Sequence, residues 1–257
     1  MSLASGDHEA HGVPEDRPAT PRDALAATPW LRSVSQNVLD DLAGHAVLHR
    51  LPGGSIVFEQ SETPAFAQFL IGGSVELLGV RGRDESFVEL IRPVDLLLPA
   101  AVLNCQPYLL RARVLGEASL LMVQAESFRQ AVTSDHAFCL AVLGCQAAQF
   151  RRRVKQVKNL GLRSAEERVG CYLVRLTGSV PPGTPVHLPM EKRLIASELG
   201  MTRETFSRSL GAMARHGIRV EGDLVTLDDA ASARTRFALD PLIDGAEDFH
   251  PLQAKGA

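Results

Sequence analysis

No stretch of this 257-residue chain approaches the ~18–20 consecutive apolar residues that a membrane-spanning helix needs. Nor does its N-terminus carry the charged-then-apolar pattern of a secretory signal, so a cytoplasmic protein is expected. Cysteine is scarce. Cys105, Cys139, Cys145 and Cys171 are scattered without a Cys-x-x-Cys pair, which argues against a zinc ribbon or a disulfide scaffold and for reduced core thiols. An iron–sulfur cluster, which needs about four thiolates held close together, is disfavoured on the same ground. Aromatic residues make up 5% of the chain and are not interleaved with basic ones, unlike modules that stack single-stranded bases. No Ser/His/Asp or Cys/His set suggests nucleophilic catalysis, and no Gly-rich turn has dinucleotide or P-loop spacing. The net charge of -3 excludes little, because a local basic surface decides nucleic-acid binding and the acidic residues gather partly in the tails.

What the chain does contain is ordered in blocks. At 45% hydrophobic it can bury a sizeable core, most naturally in two folded units. Residues 1–24, rich in Ala, Pro, Asp, Glu and His, show no apolar period and read as a disordered leader. His8 and His11 within it lack a fixed geometry and read as polar residues rather than metal ligands. A helical segment is expected from Thr28-Pro29-Trp30-Leu31 to Leu42. Seven short strands follow between Val47 and Val123, punctuated by Pro52-Gly53-Gly54, Gly72-Gly73, Arg81-Gly82-Arg83-Asp84 and Arg92-Pro93, the pattern of a sandwich or jelly roll.

A long helix begins near Ser134-Asp135, where both residues are good caps. Leu140, Leu143, Ala147, Phe150, Val154 and Val157 recur at steps of three and four, the spacing of a coiled-coil seam. The flanking Arg151, Arg152, Arg153, Lys155 and Lys158 point to a largely solvated rod with one apolar face, which would pair with its copy in a parallel homodimer. Packing on the chain's own β unit is the alternative.

The strongest pattern lies further on. Lys192 to Gly200 is apolar-periodic and ends in a Gly break; Thr202 can then cap a second helix whose first turns are polar. That is a helix-turn-helix. Arg203, Glu204, Ser207 and Arg208 become candidate readers of base edges, since Arg forks onto guanine and Glu accepts from cytosine, while Thr202 and Lys192 are candidate supporting contacts. Leu199, Phe206 and Leu210 would turn inward. A bland reading pairs Glu204 with Arg208 on an ordinary solvated helix.

The order of these parts resembles the CRP/FNR superfamily of bacterial transcription regulators. The similarity runs from Trp30 to Asp229 and is most specific over Ser164–Leu176, Val186–Met190, the helix-turn-helix and Gly217–Leu227. The resemblance implies an α+β chain: a cyclic-nucleotide-binding-like β roll over 25–133, a dimerisation helix over 134–160, and a winged helix-turn-helix over 161–239, with a tail over 240–257. It implies a dimer on a palindromic duplex with TGA-containing half-sites, read by Arg203, Glu204 and Arg208, and RNA polymerase as a partner. Ser207 falls where oxygen- and nitric-oxide-responsive branches place a serine. Arg92-Pro93-Val94-Asp95, Pro99–Leu103, Leu199–Thr202 and Asp240–Asp244 look like the FtrB-type branch, linked to ferrous-iron uptake.

In cyclic-nucleotide members a Gly-Glu pair precedes an Arg that meets the cyclic phosphate. Here the matching stretch reads Leu97-Leu98-Pro99-Ala100-Ala101 and only Arg111-Ala112 survives, so Leu97, Leu98 and Arg111 mark an effector pocket from which cAMP binding is not expected. The effector is unassigned. Haem, which needs only one or two protein ligands, is the main alternative, with His45, His49, Cys105 or His136 as donors. A cupin-type metalloenzyme is a remote alternative, because the strand region offers only His49.

Overall fold

In the computed structural model, residues 18–245 are described; the calls on His8, His11 and residues 1–17 lie outside them. The first element is α1 (Pro21–Ala26), opened by a capping box between Thr20 and Asp23 and burying Ala24 and Leu25. The leader drawn to residue 24 is therefore too long. Six residues are too few to show a helical period, and the local signals are the Thr20 cap and Pro21 at the first helical position. The helical segment expected over 28–42 is a 3₁₀ turn (Pro29–Leu31) followed by α2 (Gln36–Gly44).

The roll comprises β1 (Ala46–Leu51), β2 (Ile56–Phe58), β3 (Phe66–Arg81), β4 (Asp84–Ile91), β5 (Asp95–Leu97) and β6 (Arg111–Gln124), with the short α3 (Pro99–Asn104) before β6. Every pairing is antiparallel; the order runs β1-β6-β3-β4, with β2 on β6 and β5 on β3. Gly72-Gly73 does not end a strand, as the sequence led one to expect. It bends the continuous β3, and the register against β6 shifts on either side of Gly72. Gly73 sits at φ 80°, where a Cβ would lie 2.0 Å from the Glu117 carbonyl oxygen, so only glycine lets the strands cross this closely. The expected strands Leu109–Leu115 and Ser119–Val123 likewise merge into β6.

α4 (Ala125–Ser134) leads into α5 (His136–Leu162), capped by Asp135, whose side chain accepts from Phe138 N at 2.7 Å. At 1.5 Å per residue this rod is about 40 Å long. It is not a solvated rod. Phe138 joins a buried aromatic chain through Phe128 and Phe69 to Trp30, with centroid spacings of 5.5, 6.2 and 5.5 Å, and Ala141, Val142 and Cys145 are buried beside it. Further along, Arg152 is bound to Asp95 and Arg153 to Glu89, while Gln149 donates to the Leu96 carbonyl at 2.7 Å and Gln156 to that of Val88 at 3.2 Å. Two of the arginines read as a solvated flank are thus the polar side of a helix-on-sheet contact. Their partners lie more than 50 residues away in sequence, beyond any local pattern.

The other face is different. Leu143, Phe150, Val154 and Val157 are exposed at 53%, 70%, 42% and 69%, Ala147 is exposed between them, and Leu140 is half-buried.

The rod ends at Arg163, whose extended backbone separates it from α6 (Ala165–Leu176). Then come β7 (Val186–His187), α7 (Lys192–Glu198), α8 (Arg203–Met213), the hairpin of β8 (Ile218–Glu221) and β9 (Leu224–Leu227), and α9 (Ala230–Arg236). These share a second core centred on Val169, Leu173, Ile195, Phe206, Met213, Val225 and Phe237. The segment expected as a tail from 240 instead begins with α10 (Pro241–Asp244), capped by Asp240 and docked on α5 with Ile243 buried.

Candidate nucleic-acid interface

α7 and α8 are joined by Leu199–Thr202. Gly200, at φ 63°, makes the turn; that left-handed backbone favours glycine, and a Cβ there would also push the Leu160 side chain of α5 aside. Met201 N donates to Ala196 O at 3.0 Å, and Thr202 Oγ1 accepts from Thr205 N at 3.2 Å, capping α8. Ile195, Ala196, Leu199, Phe206 and Leu210 are buried between the two helices and α6.

The opposite side of α8 is left to solvent. Thr202, Arg203, Glu204, Ser207 and Arg208 are all exposed, and Lys192 is half-buried at the start of α7. Glu204 and Arg208 form no ion pair among the described residues: Arg208 donates to Thr205 Oγ1 at 3.3 Å, and Arg203 has no carboxylate partner. Backbone and Thr202 hydrogen bonds at the helix start hold the Glu204 carboxyl below its usual range, so it is ionised and an acceptor at neutral pH. Beside α8, β8 and β9 form a wing through a two-residue turn, with β7 on the far side of β9. Arg219 on it is committed to Asp228 at 2.9 and 3.0 Å and to Glu221 at 3.2 Å.

Residues 167–232 match the Crp-like helix-turn-helix domain, and residues 48–135 match the cyclic nucleotide-binding domain. The nitrogen fixation regulation protein FixK of Azorhizobium caulinodans is 26% identical over 216 residues, covering 81% of this chain and 78% of that protein. In fold, the chain is similar to FixK2 from Bradyrhizobium japonicum, with a TM-score of 0.61 at 19% identity over 76% of this chain and 98% of that one. A CooA variant from Carboxydothermus hydrogenoformans gives 0.63 at 18% identity, covering 81% and 94%. The chain belongs to the CRP/FNR superfamily of DNA-binding transcription regulators. A CRP/FNR regulator is not an enzyme, and the cupin reading lapses. Among the described residues, no helix is long and apolar enough to cross a membrane.

In this CRP/FNR chain the arginine expected in the effector pocket is paired with the protein's own carboxylates. Arg111 donates to Glu59 at 2.8 Å and is in close contact with Glu85, while Arg113 donates to Glu76 at 2.6 Å and to Glu85 at 2.8 Å. These hydrogen bonds raise the arginine pKa values and pull that of Glu85 down, so all three stay charged. Leu97 is buried in the roll's core with Ala112 and Val114, and Leu98 caps α3 in a left-handed conformation at its edge. The haem candidates are spread out. His45 faces the Asp41 carbonyl at 2.9 Å, His49 is exposed on β1, Cys105 is exposed after α3, and His136 is exposed at the start of α5.

What the sequence did not reveal is a large cleft between the roll and the head. It has a volume of about 840 Å³ and is walled by β4, β5, α5, α6 and the end of α10. Arg92 crosses it to Glu198 of α7 at 2.8 Å, and Arg163 is held by Asp244 through two hydrogen bonds of 2.8 and 2.6 Å, both side chains about nine-tenths buried. Burial works against the Asp244 charge, but Arg163 outweighs it and the carboxyl titrates below its ordinary value. The one advance signal was Asp240-Pro241, a cap followed by a helix-starting proline.

Proposed function

We propose that this regulator acts as a homodimer joined along the exposed seam of α5 and binds a palindromic duplex with one α8 in each of two successive major grooves. The carrying observation is the uncommitted state of α8: Arg203 and Arg208 are exposed and form no ion pair among the described residues, on a helix whose other face is buried. Arg203, Glu204 and Arg208 read base edges, Ser207 serves base or phosphate, and Thr202 and Lys192 hold backbone phosphates. The resemblance gives the half-site a TGA core. Support for the dimer comes from Leu143, Ala147, Phe150, Val154 and Val157, an uncovered apolar stripe at heptad spacing on a helix whose opposite side is already packed. Two-fold symmetry would set the recognition helices about 34 Å apart. Such a protein works where DNA and RNA polymerase are, in the cytoplasm.

The same reading includes no response to cAMP. The arginine that would meet a cyclic phosphate is engaged by two carboxylates, and the α3 stretch carries no acidic residue for a ribose hydroxyl. A signal acts instead by changing the packing along α5 and so rotating the heads. The link to iron uptake rests on the FtrB-like motifs alone.

Selection from random duplexes should return an inverted repeat, and sedimentation should give a dimer that Phe150→Glu dissociates. A single asymmetric half-site, or a monomer at micromolar concentration, would overturn the proposal.

A further inference from the structure

The cleft between roll and head presents six cations against four carboxylates. Three of the cations are satisfied: Arg152 by Asp95, Arg163 by Asp244 and Arg92 by Glu198. Two on α6 are not. Among the described residues, Arg168 donates only to main-chain carbonyls, of Leu160, Arg163 and Gly200 at 3.1 to 3.4 Å, and its buried Nε has no partner. Arg175 lies over the Tyr172 ring, 5.9 Å from its centroid, and has no carboxylate partner among the described residues. Between them Tyr172 is 8% exposed, with a hydroxyl that is also buried and unpartnered. Residues 168, 172 and 175 are spaced four and three apart, so one stripe of α6 faces the cleft.

Leaving buried polar groups unmatched is unfavourable. Guanidinium groups without a counter-charge are selective for planar or tetrahedral oxyanions, which they bind through paired N–H donors. The volume of the cleft falls within the ~300–1,000 Å³ of small-molecule sites, and the apolar side chains of Ile91, Val94, Leu199 and Ile243 line it beside the charges. We infer that this cleft binds a small organic oxyanion, a phosphate or carboxylate compound up to about nucleotide size, held by Arg168, Tyr172 and Arg175. The site is distinct from the roll's interior, where Arg111 is already neutralised. Because its walls come from both units, an occupant would fix the angle between them.

The test is thermal unfolding of the full chain, without DNA, in pyrophosphate, inorganic phosphate or citrate, each against chloride at matched ionic strength. Pyrophosphate against citrate separates phosphate from carboxylate sources. At ten times its dissociation constant, a binding anion should raise Tm by about 3–5 °C over chloride. Arg175→Ala removes an exposed guanidinium without opening a core and should weaken the anion's apparent affinity about ten-fold or more. Tyr172→Phe should weaken it less, while leaving the anion-free Tm unchanged or higher, since it deletes an unsatisfied hydroxyl. A hydroxyl that only supported the fold would instead lower Tm when removed. If none of the three anions stabilises the protein beyond chloride, or if both variants respond like the parent, the site does not exist.

Discussion

Arginines of the roll and arginines of the reading head occupy opposite electrostatic states. On β6, Arg111 and Arg113 share three carboxylates, and one of these, Glu76, is 3% exposed. On α8, Arg203 and Arg208 stand in solvent and, among the described residues, form no ion pair, with Glu204 the nearby carboxylate that feels both charges. The residue type is the same and the roles diverge. A guanidinium already forked onto carboxylates must lose them before it can meet a ligand phosphate, whereas one held only by a Thr hydroxyl can move to a base edge at little cost. Under the proposed function, the contrast would let a chain with the outline of a cyclic-nucleotide sensor keep the head's chemistry while Arg111 serves as a structural residue.

The largest effect that would sharpen this contrast belongs to Arg113→Ala. It leaves Glu76 buried and unpaired, which should destabilise the roll by about 2–4 kcal/mol, visible as a lower urea midpoint. Adding Glu76→Gln should recover part of the loss. Arg208→Ala should do the reverse: the urea midpoint stays put, while affinity for the selected duplex falls by about 1–3 kcal/mol per half-site and the preference at one base pair relaxes. Removing Lys192 should weaken all duplexes alike. Arg111→Ala is expected to change stability by less than about 1 kcal/mol, because its pairs with Glu59 and Glu85 are partly solvated, and to leave DNA affinity with or without cAMP unaltered. A cAMP-dependent change in DNA binding that Arg111→Ala abolishes would break the comparison outright.

The two sides of this contrast were unequally legible in the sequence. The head was readable because its determinants are local. Gly200 and Thr202, two residues apart, set the turn and the cap, and the buried Leu199, Phe206 and Leu210 follow from helical spacing. The roll's strands were visible as runs, but not their joining, since Gly72-Gly73 has the composition of a turn and acts as a bend whose meaning depends on the partner strand. The exposed apolar stripe of α5 was legible from its helical spacing. Its packed side was not: Arg152, Arg153 and Gln156 look like solvated residues, and only the fold brings Asp95, Glu89 and the Val88 carbonyl to them. The matching of Arg111 by Glu59 and Glu85, 52 and 26 residues away, was beyond local reading for the same cause.

Acid offers the gentlest way to tell the two arginine sets apart, because the matched ones depend on carboxylates and the free ones do not. Glu85 is held below its ordinary value by the Arg113 hydrogen bond first and by Arg111 in addition, and Asp244 by Arg163 against the pull of burial. A carboxyl depressed in the folded state contributes stability that is fully present above its unfolded pKa, about 4.3 for Glu and 3.9 for Asp. That contribution disappears as pH falls through the lower folded value. Between pH 7 and 5 neither group should matter; below about pH 4 the urea midpoint should drop, and less steeply in Glu85→Gln, which has no proton to take up there. Should Glu85→Gln show the parent's slope across that window, Glu85 does not hold Arg111 and Arg113 in charged pairs, and Glu59 alone would stand between Arg111 and a ligand phosphate.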